Sequence, residues 1–429
     1  MGMRTLVAFA GLVLGAIAPL ALVTPADAAG ETCNGLPATM VGTPGSTVTG
    51  TDGPDVIVSA GAAEVLGNGG NDTICTTLTA PGPPKTSSIQ VSGGPGNDFI
   101  DRRGDTDRKV QGLVTGDAGQ DTILGAPGAD VFETGDGEHD VVSTGDGDDL
   151  GTDGGTDGLA DADTIDLGAG DDEFSAQGPY AAPLTIEGGP GTDTIDWLLP
   201  GANAYVVDAL AGVFRSPAGV STSFTGFEEY GATTSRRATW SFRGSQDGES
   251  VSGFTGQLTS AAMRGGGDRI QLVVDSKRPT AHIDGGHGRD RVELSASGST
   301  IEVDLDRGRY RLGDAGHSRL QSFEDASVVA GDVSLRGTGG RNTLEVLTCR
   351  RGYVAAGGGA DVVSLVRDAK TDCSAGPRPV VDGGTGPDVI TGSRLADLLI
   401  GGPGDDTADG AGGRDTCRSV ETRTSCERR

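Results

Sequence analysis

A nine-residue pattern, Gly-Gly-x-Gly-x-Asp-x-U-x with U a large apolar residue, recurs along this 429-residue chain and constrains its fold more than any other feature. Clean copies begin at Gly93, Gly188, Gly285 and Gly383. Looser ones begin at Gly50, Gly67, Gly116, Gly125 and Leu167. Near the far end the register is continuous, with starts at Gly383, Gly392, Gly401 and Gly410. A fixed short period marks a solenoid, in which each unit buries its apolar face only against its neighbours.

The residue types follow from the geometry such a unit needs. The first six positions form a turn that requires positive φ and close backbone approach, hence glycine. The last three form a short strand whose U side chain faces inward, as Ile100, Ile123, Phe132, Ile195, Val292 and Ile390 would. Two nonapeptides make one coil, so turns n and n+2 stack on the same edge. On that edge Asp388 meets Asp406, Asp397 meets Asp415, Asp121 meets Asp140 and Asp130 meets Asp149. Ca²⁺ takes six to eight hard oxygen ligands in flexible geometry, which stacked turns offer as carboxylates and carbonyls. The candidate metal ligands are Asp72, Asp98, Asp121, Asp130, Asp140, Asp149, Asp172, Asp193, Asp290, Asp361, Asp388, Asp397, Asp406 and Asp415. Some copies are decayed: Asn342 replaces an Asp, Ala408 is a small inward residue, and Leu395 replaces a glycine, which weakens the Asp397 and Asp415 pair.

Composition agrees. The chain holds 61 acidic against 33 basic residues, a net charge of -28, with 75 glycines and only 4% aromatics. Such a chain repels nucleic acid and anionic membranes and attracts cations. Glycine contributes no side chain to bury and loses the most entropy on folding, so something besides apolar burial has to hold the fold.

The pattern resembles the RTX family, the hemolysin-type calcium-binding repeat. That resemblance implies an all-β chain wound as a right-handed parallel β-roll, with Ca²⁺ as cofactor between turns. Gly413-Arg414-Asp415-Thr416-Cys417, Val420-Glu421 and Cys426-Glu427 resemble the ending of small secreted calcium-binding proteins of Gram-positive actinomycetes. RTX toxins and proteases use an uncleaved C-terminal export signal, whereas a cleavable N-terminal one is read here, so no toxin activity carries over. Two segments break the period and match each other: Val207-Asp208, Gly212, Phe214 and Phe227-Glu228 recur at identical offsets as Val303-Asp304, Gly308, Tyr310 and Phe323-Glu324. They read as strand-rich cassettes. The expected organisation is a signal peptide at 1–28, an N-terminal roll at 29–196, cassettes at 197–262 and 298–336 around a short roll at 263–297, and a C-terminal roll at 337–429.

Arg4, the apolar run Leu6 to Leu22 and Ala26-Asp27-Ala28 have the order of a secretory signal with an A-x-A cleavage site. No second run could span a bilayer. The mature chain is expected outside the cell, where an even set of cysteines fits. Their order suggests Cys33 with Cys75, Cys349 with Cys373, and Cys417 with Cys426. Six cysteines allow fifteen connectivities, and only the last pair is committed. Cys417 holds an inward U position, so that bridge would pin a polar flap carrying Val420 across the last apolar layer.

Nothing points to catalysis. No H-E-x-x-H occurs, Gly316-His317-Ser318-Arg319-Leu320 lacks the closing glycine of a hydrolase elbow, and Asp171-Asp172 and Asp405-Asp406 read as calcium ligands. The expected role is non-catalytic, structural or interactive, with calcium ions as partners and an extracellular surface or matrix partner left open. The alternatives are a secreted hydrolase or an adhesin that uses the repeats as a calcium-dependent scaffold.

Overall fold

The computed structural model describes residues 30–77, 88–106, 111–136, 139–153, 162–177, 182–234, 237–254, 257–274, 281–348, 350–365 and 378–427. The segment 1–28 read as a signal peptide and the expected pairing of Cys349 with Cys373 lie outside them. Among the described residues there is no helix, and 38 strands join one continuous sheet that winds as a β-roll.

The nonapeptide dictates the winding. A typical strand has three residues with only the middle one buried, as in Thr122–Leu124 or Val389–Thr391. Outside the cassettes most strands pair in parallel with the next but one, so two strands complete a coil. Identical inward positions therefore stack into files. One runs Ile57, Ile74, Ile100, Ile123, Val142, Ile165, Ile186, Phe224. The opposite file includes Val114, Phe132, Gly151, Phe174 and Ile195, and later Leu344, Val363, Ile390 and Ala408. Gly151 occupies an inward position because the Phe132 ring fills it: any Cβ there would strike that ring. Phe132 and Phe174 stack across it with centroids 6.2 Å apart. Burying one such Ile or Phe is worth roughly 1.5–3 kcal/mol, so the stabilisation accumulates coil by coil.

The two cassettes do not halt the stack. Thr194–Leu199 pairs in parallel with Glu229–Thr234, and Ala204–Asp208 with Thr239–Arg243. What each cassette adds is an antiparallel excursion in one register: Val207 opposite Phe214 and Asp208 opposite Val213, then Val303 opposite Tyr310 and Asp304 opposite Arg309. The first also concentrates aromatic rings in the core. Trp197 stacks on Phe214 at 4.0 Å, and Tyr230 tilts against Phe242 at 4.9 Å.

Both ends are tied. Cys33 and Cys75 are bonded and join the hairpin Thr32–Cys33/Leu36–Pro37 to the first coils. Cys417 and Cys426 are bonded, with Cys417 and Val420 in the core. One expectation is corrected here. The residues after Cys417 do not fold back as a flap; Thr422–Thr424 continues the roll, pairing in parallel with Thr407–Asp409 because its backbone can complete the ladder despite exposed side chains. Arg423 stands in the file of Ile390 and Ala408, and it is exposed.

Candidate calcium centres

The position-six Asp precedes each short strand, so stacking the strands stacks these residues along the turn edge. Each buries its carboxylate, and its backbone N–H donates to Oδ1 of the Asp one coil further on. The first ladder runs from Asp55 through Asp72, Asp98, Asp121 and Asp140 to Asp163, with bonds of 2.7–2.8 Å. A second runs Asp130, Asp149, Asp172, Asp193. A third runs Glu249, Asp268, Asp290, a fourth Asn342, Asp361, Asp388, Asp406, and a fifth Asp397, Asp415. All fourteen residues singled out in the sequence are rungs, each 2% exposed or less.

Ten of the rungs use one oxygen for the ladder and leave the other with no hydrogen-bond donor. Oδ2 of Asp72, Asp98, Asp121, Asp172, Asp193, Asp290, Asp361, Asp388, Asp406 and Asp415 is buried and unpartnered. An isolated buried carboxylate oxygen costs free energy unless a cation or proton reaches it. Burial accordingly drives Asp72, Asp98, Asp121, Asp172, Asp193, Asp290, Asp361, Asp388 and Asp415 up the pH scale, against the N–H bond that opposes it. Asp98 and Asp193 rise to about 6, and Asp121 and Asp172 to about 7, with neighbouring carboxylates adding to the shift.

The turns around these oxygens are shaped by glycine. A Cβ on Gly383 would lie 2.5 Å from Asp388 Oδ2 and 2.8 Å from the Gly401 carbonyl. Gly384 and Gly386 hold φ of +100° and +114°, and a Cβ on either would strike the carbonyl of Gly357 or Gly359 in the turn one coil before. Main-chain oxygens thus face the gap between stacked turns. Among the described residues no group of three or more His, Cys, Asp or Glu is placed to hold a metal. The oxygens that meet between the turns are carboxylate and carbonyl, which suit a hard cation and not zinc.

A second, exposed ladder at position five runs the other way. The N–H of Asn97 donates to Asn71 Oδ1, Gln120 to Asn97, Asp171 to Asp148 and Thr192 to Asp171, at 2.9–3.1 Å. Asp148 and Asp171 place extra charge beside Asp149 and Asp172.

Two of the fourteen, Asp130 and Asp397, start ladders, and their carboxylates have local partners. A ladder's first residue receives no N–H from an earlier rung and accepts one from four residues before it: Thr51 to Asp55, Ala126 to Asp130, Ser245 to Glu249, Thr338 to Asn342 and Ser393 to Asp397, at 2.6–2.7 Å. Asp397 also accepts from the Ser393 hydroxyl. Asp130 has its own cation, since the fully buried Arg102 guanidinium bonds its Oδ1 and lies 3.2 Å from Asp105. Gly112 leaves that space open, as a Cβ there would strike the guanidinium. Sequence reasoning missed two further rungs, Asp163 and Asp268. Both keep the Asp-x-U spacing, before Ile165 and Ile270, but lack the full glycine turn.

The fold and its acid ladders define a parallel β-roll repeat protein with a hard-cation donor set. The model of the RTX calcium-binding nonapeptide repeat matches residues 113–138, 157–177 and 382–417, in four copies, covering Asp121, Asp130, Asp163, Asp172, Asp388, Asp397, Asp406 and Asp415. The chain thus carries calcium-binding nonapeptide repeats of the RTX type. No curated protein matches it.

Proposed function

We propose that this is an exported, non-catalytic protein whose roll is completed by Ca²⁺ held between stacked turns. The observation that carries the reading is the file of buried, unpartnered Oδ2 atoms. Bound Ca²⁺ supplies the positive charge these oxygens lack and accepts six to eight oxygen ligands. The chain's own groups prepare for it: Oδ1 is fixed by the N–H of the preceding rung, Oδ2 stays free, and glycine lets neighbouring carbonyls approach. Without a cation the carboxylates repel one another, and folding and binding become one equilibrium.

Export is supported by the two cysteine bonds, which suit an oxidising compartment. A non-catalytic role is supported by the repetition itself, since the perturbed acids recur as equivalent rungs rather than converging on one site. Ser318, centre of the nearest hydrolase-like motif, is buried with its hydroxyl against Tyr310. The test is far-UV circular dichroism of the full chain in EGTA and then in millimolar Ca²⁺. We expect most of the β signal to vanish in chelator and return with calcium. An unchanged β-rich spectrum in chelator overturns the reading.

A further inference from the structure

Among the described residues, four of the five ladders end the same way, on a glutamate outside the nonapeptide pattern. Asp193 N–H donates to Glu228, Asp290 to Glu324, Asp406 to Glu421 and Asp415 to Glu427, each to Oε2 at 2.5–3.0 Å. Each glutamate follows an apolar residue packed on the core: Phe227, Phe323, Val420 and the disulfide-bonded Cys426. Each pair follows a residue in the left-handed region, Gly226 at φ +71°, Ser322 at +57°, Ser419 at +47° and Ser425 at +54°. The carbonyl of that residue lies over the first glycine of the last full turn, against Gly188, Gly285, Gly401 and Gly410 respectively.

Backbone bonding separates these ends from ordinary rungs. The carbonyl of an interior Asp accepts one N–H from the next coil, as Asp388 does from Thr407. Asp193, Asp290 and Asp406 each accept two, from the glutamate and from the residue after it, at 2.9–3.2 Å. The recurrence spans two settings, after an antiparallel excursion and at the C-terminal coils, so it belongs to the motif and not to its surroundings.

We infer that Glu228, Glu324, Glu421 and Glu427 are ladder terminators: positioning residues that hold the last rung and add no calcium site, so the roll's calcium falls into separately capped blocks. The inference rests on the calcium reading above. Between each preceding strand and its glutamate lie two residues, Gly226-Phe227, Ser322-Phe323, Ser419-Val420 and Ser425-Cys426, where a nonapeptide turn has six positions. A turn that short cannot present the set of carbonyl oxygens Ca²⁺ requires. The glutamate's longer side chain spans what the missing turn would have filled and satisfies an N–H that burial would otherwise leave unpaired.

The experiment uses the full chain in calcium, with bound ions counted by equilibrium dialysis and emission spectroscopy and amide exchange followed by NMR or mass spectrometry. Glu421→Gln keeps an oxygen that can accept the Asp406 N–H, so the ion count and Asp406 protection stay at the parental level. Glu421→Ala also keeps the ion count, while exchange at Asp406 speeds up by about tenfold or more. Asp388→Asn, changed at an interior rung, loses at least one ion. Loss of an ion in Glu421→Gln overturns the inference by making Glu421 a ligand. Unchanged Asp406 protection in Glu421→Ala overturns it too. A parental chain that binds no calcium at all instead overturns the calcium reading.

Discussion

The backbone N–H of Asp388 donates to Oδ1 of Asp406, one coil further on, at 2.9 Å. One oxygen of Asp406 therefore holds the stack together while the other is left for a cation. Asp397 stands in a different position, because its carboxylate accepts both the N–H and the hydroxyl of Ser393 within its own turn. Asp388→Ala is expected to lower calcium affinity about tenfold or more, through loss of a charged ligand. Asp397→Ala should change affinity far less while still lowering the melting temperature. Isothermal titration of the two full-length variants separates them, and equal affinity losses would count against the division into caps and interior rungs.

The buried rungs also set a pH dependence with opposite signs for the two states of the protein. In the metal-free fold Asp121 and Asp172 are raised to about 7 and Asp98, Asp149, Asp193 and Asp361 to about 6, by burial first. A carboxyl whose folded pKa lies above its unfolded value contributes stability that is fully present below the unfolded value, near 4, and lost as pH rises through the folded one. In EGTA the β signal should accordingly strengthen from pH 7 to pH 5. Calcium competes with the same protons, so its affinity should fall across that window. Circular dichroism in chelator and calcium titration at matched pH values check both halves, and a chelated chain that gains no structure on acidification contradicts the burial argument.

Arg102 is a fixed cation inside the roll, against Asp130 and Asp105. Arg102→Leu leaves Asp130 buried with no countercharge, and removing one partner of a buried pair typically costs about 3–5 kcal/mol. Thermal melts in saturating calcium should show the loss, and Arg102→Lys should recover only part of it, since an ammonium cannot reproduce the planar fork. A Leu variant melting with the parent would mean that the pair contributes nothing net.

What was legible in the sequence was whatever the nine-residue period enforces. Spacing alone placed Ile100, Val292 and Ile390 inward and set Asp388 against Asp406, because a fixed repeat length leaves a strand one way to stack. Cys417 was legible for the same reason, as it replaces Ile or Val at an inward position. Asp163 and Asp268 were missed because the glycine template was read as necessary, whereas the backbone needs only the Asp-x-U strand start to form a rung. The terminators were missed because glutamate sits outside the period, 34 and 35 residues from its rung in the cassettes but 15 and 12 at the C-terminal coils. Arg102 could not be read as buried, since a guanidinium enters a core only where two carboxylates and a glycine-sized space meet it in three dimensions.

Arg423 lies in register with the interior file of Ile390 and Ala408 but faces water. An open strand edge is a template on which a second chain can pair, and a roll with identical coils could in principle lengthen into a fibre. A coil laid over Thr422–Thr424 would have to desolvate that guanidinium in the position where every earlier coil stacks an apolar or glycine residue on the next. The edge therefore carries its own deterrent to filament growth, a charge set in one of the two inward files that a further coil would have to extend.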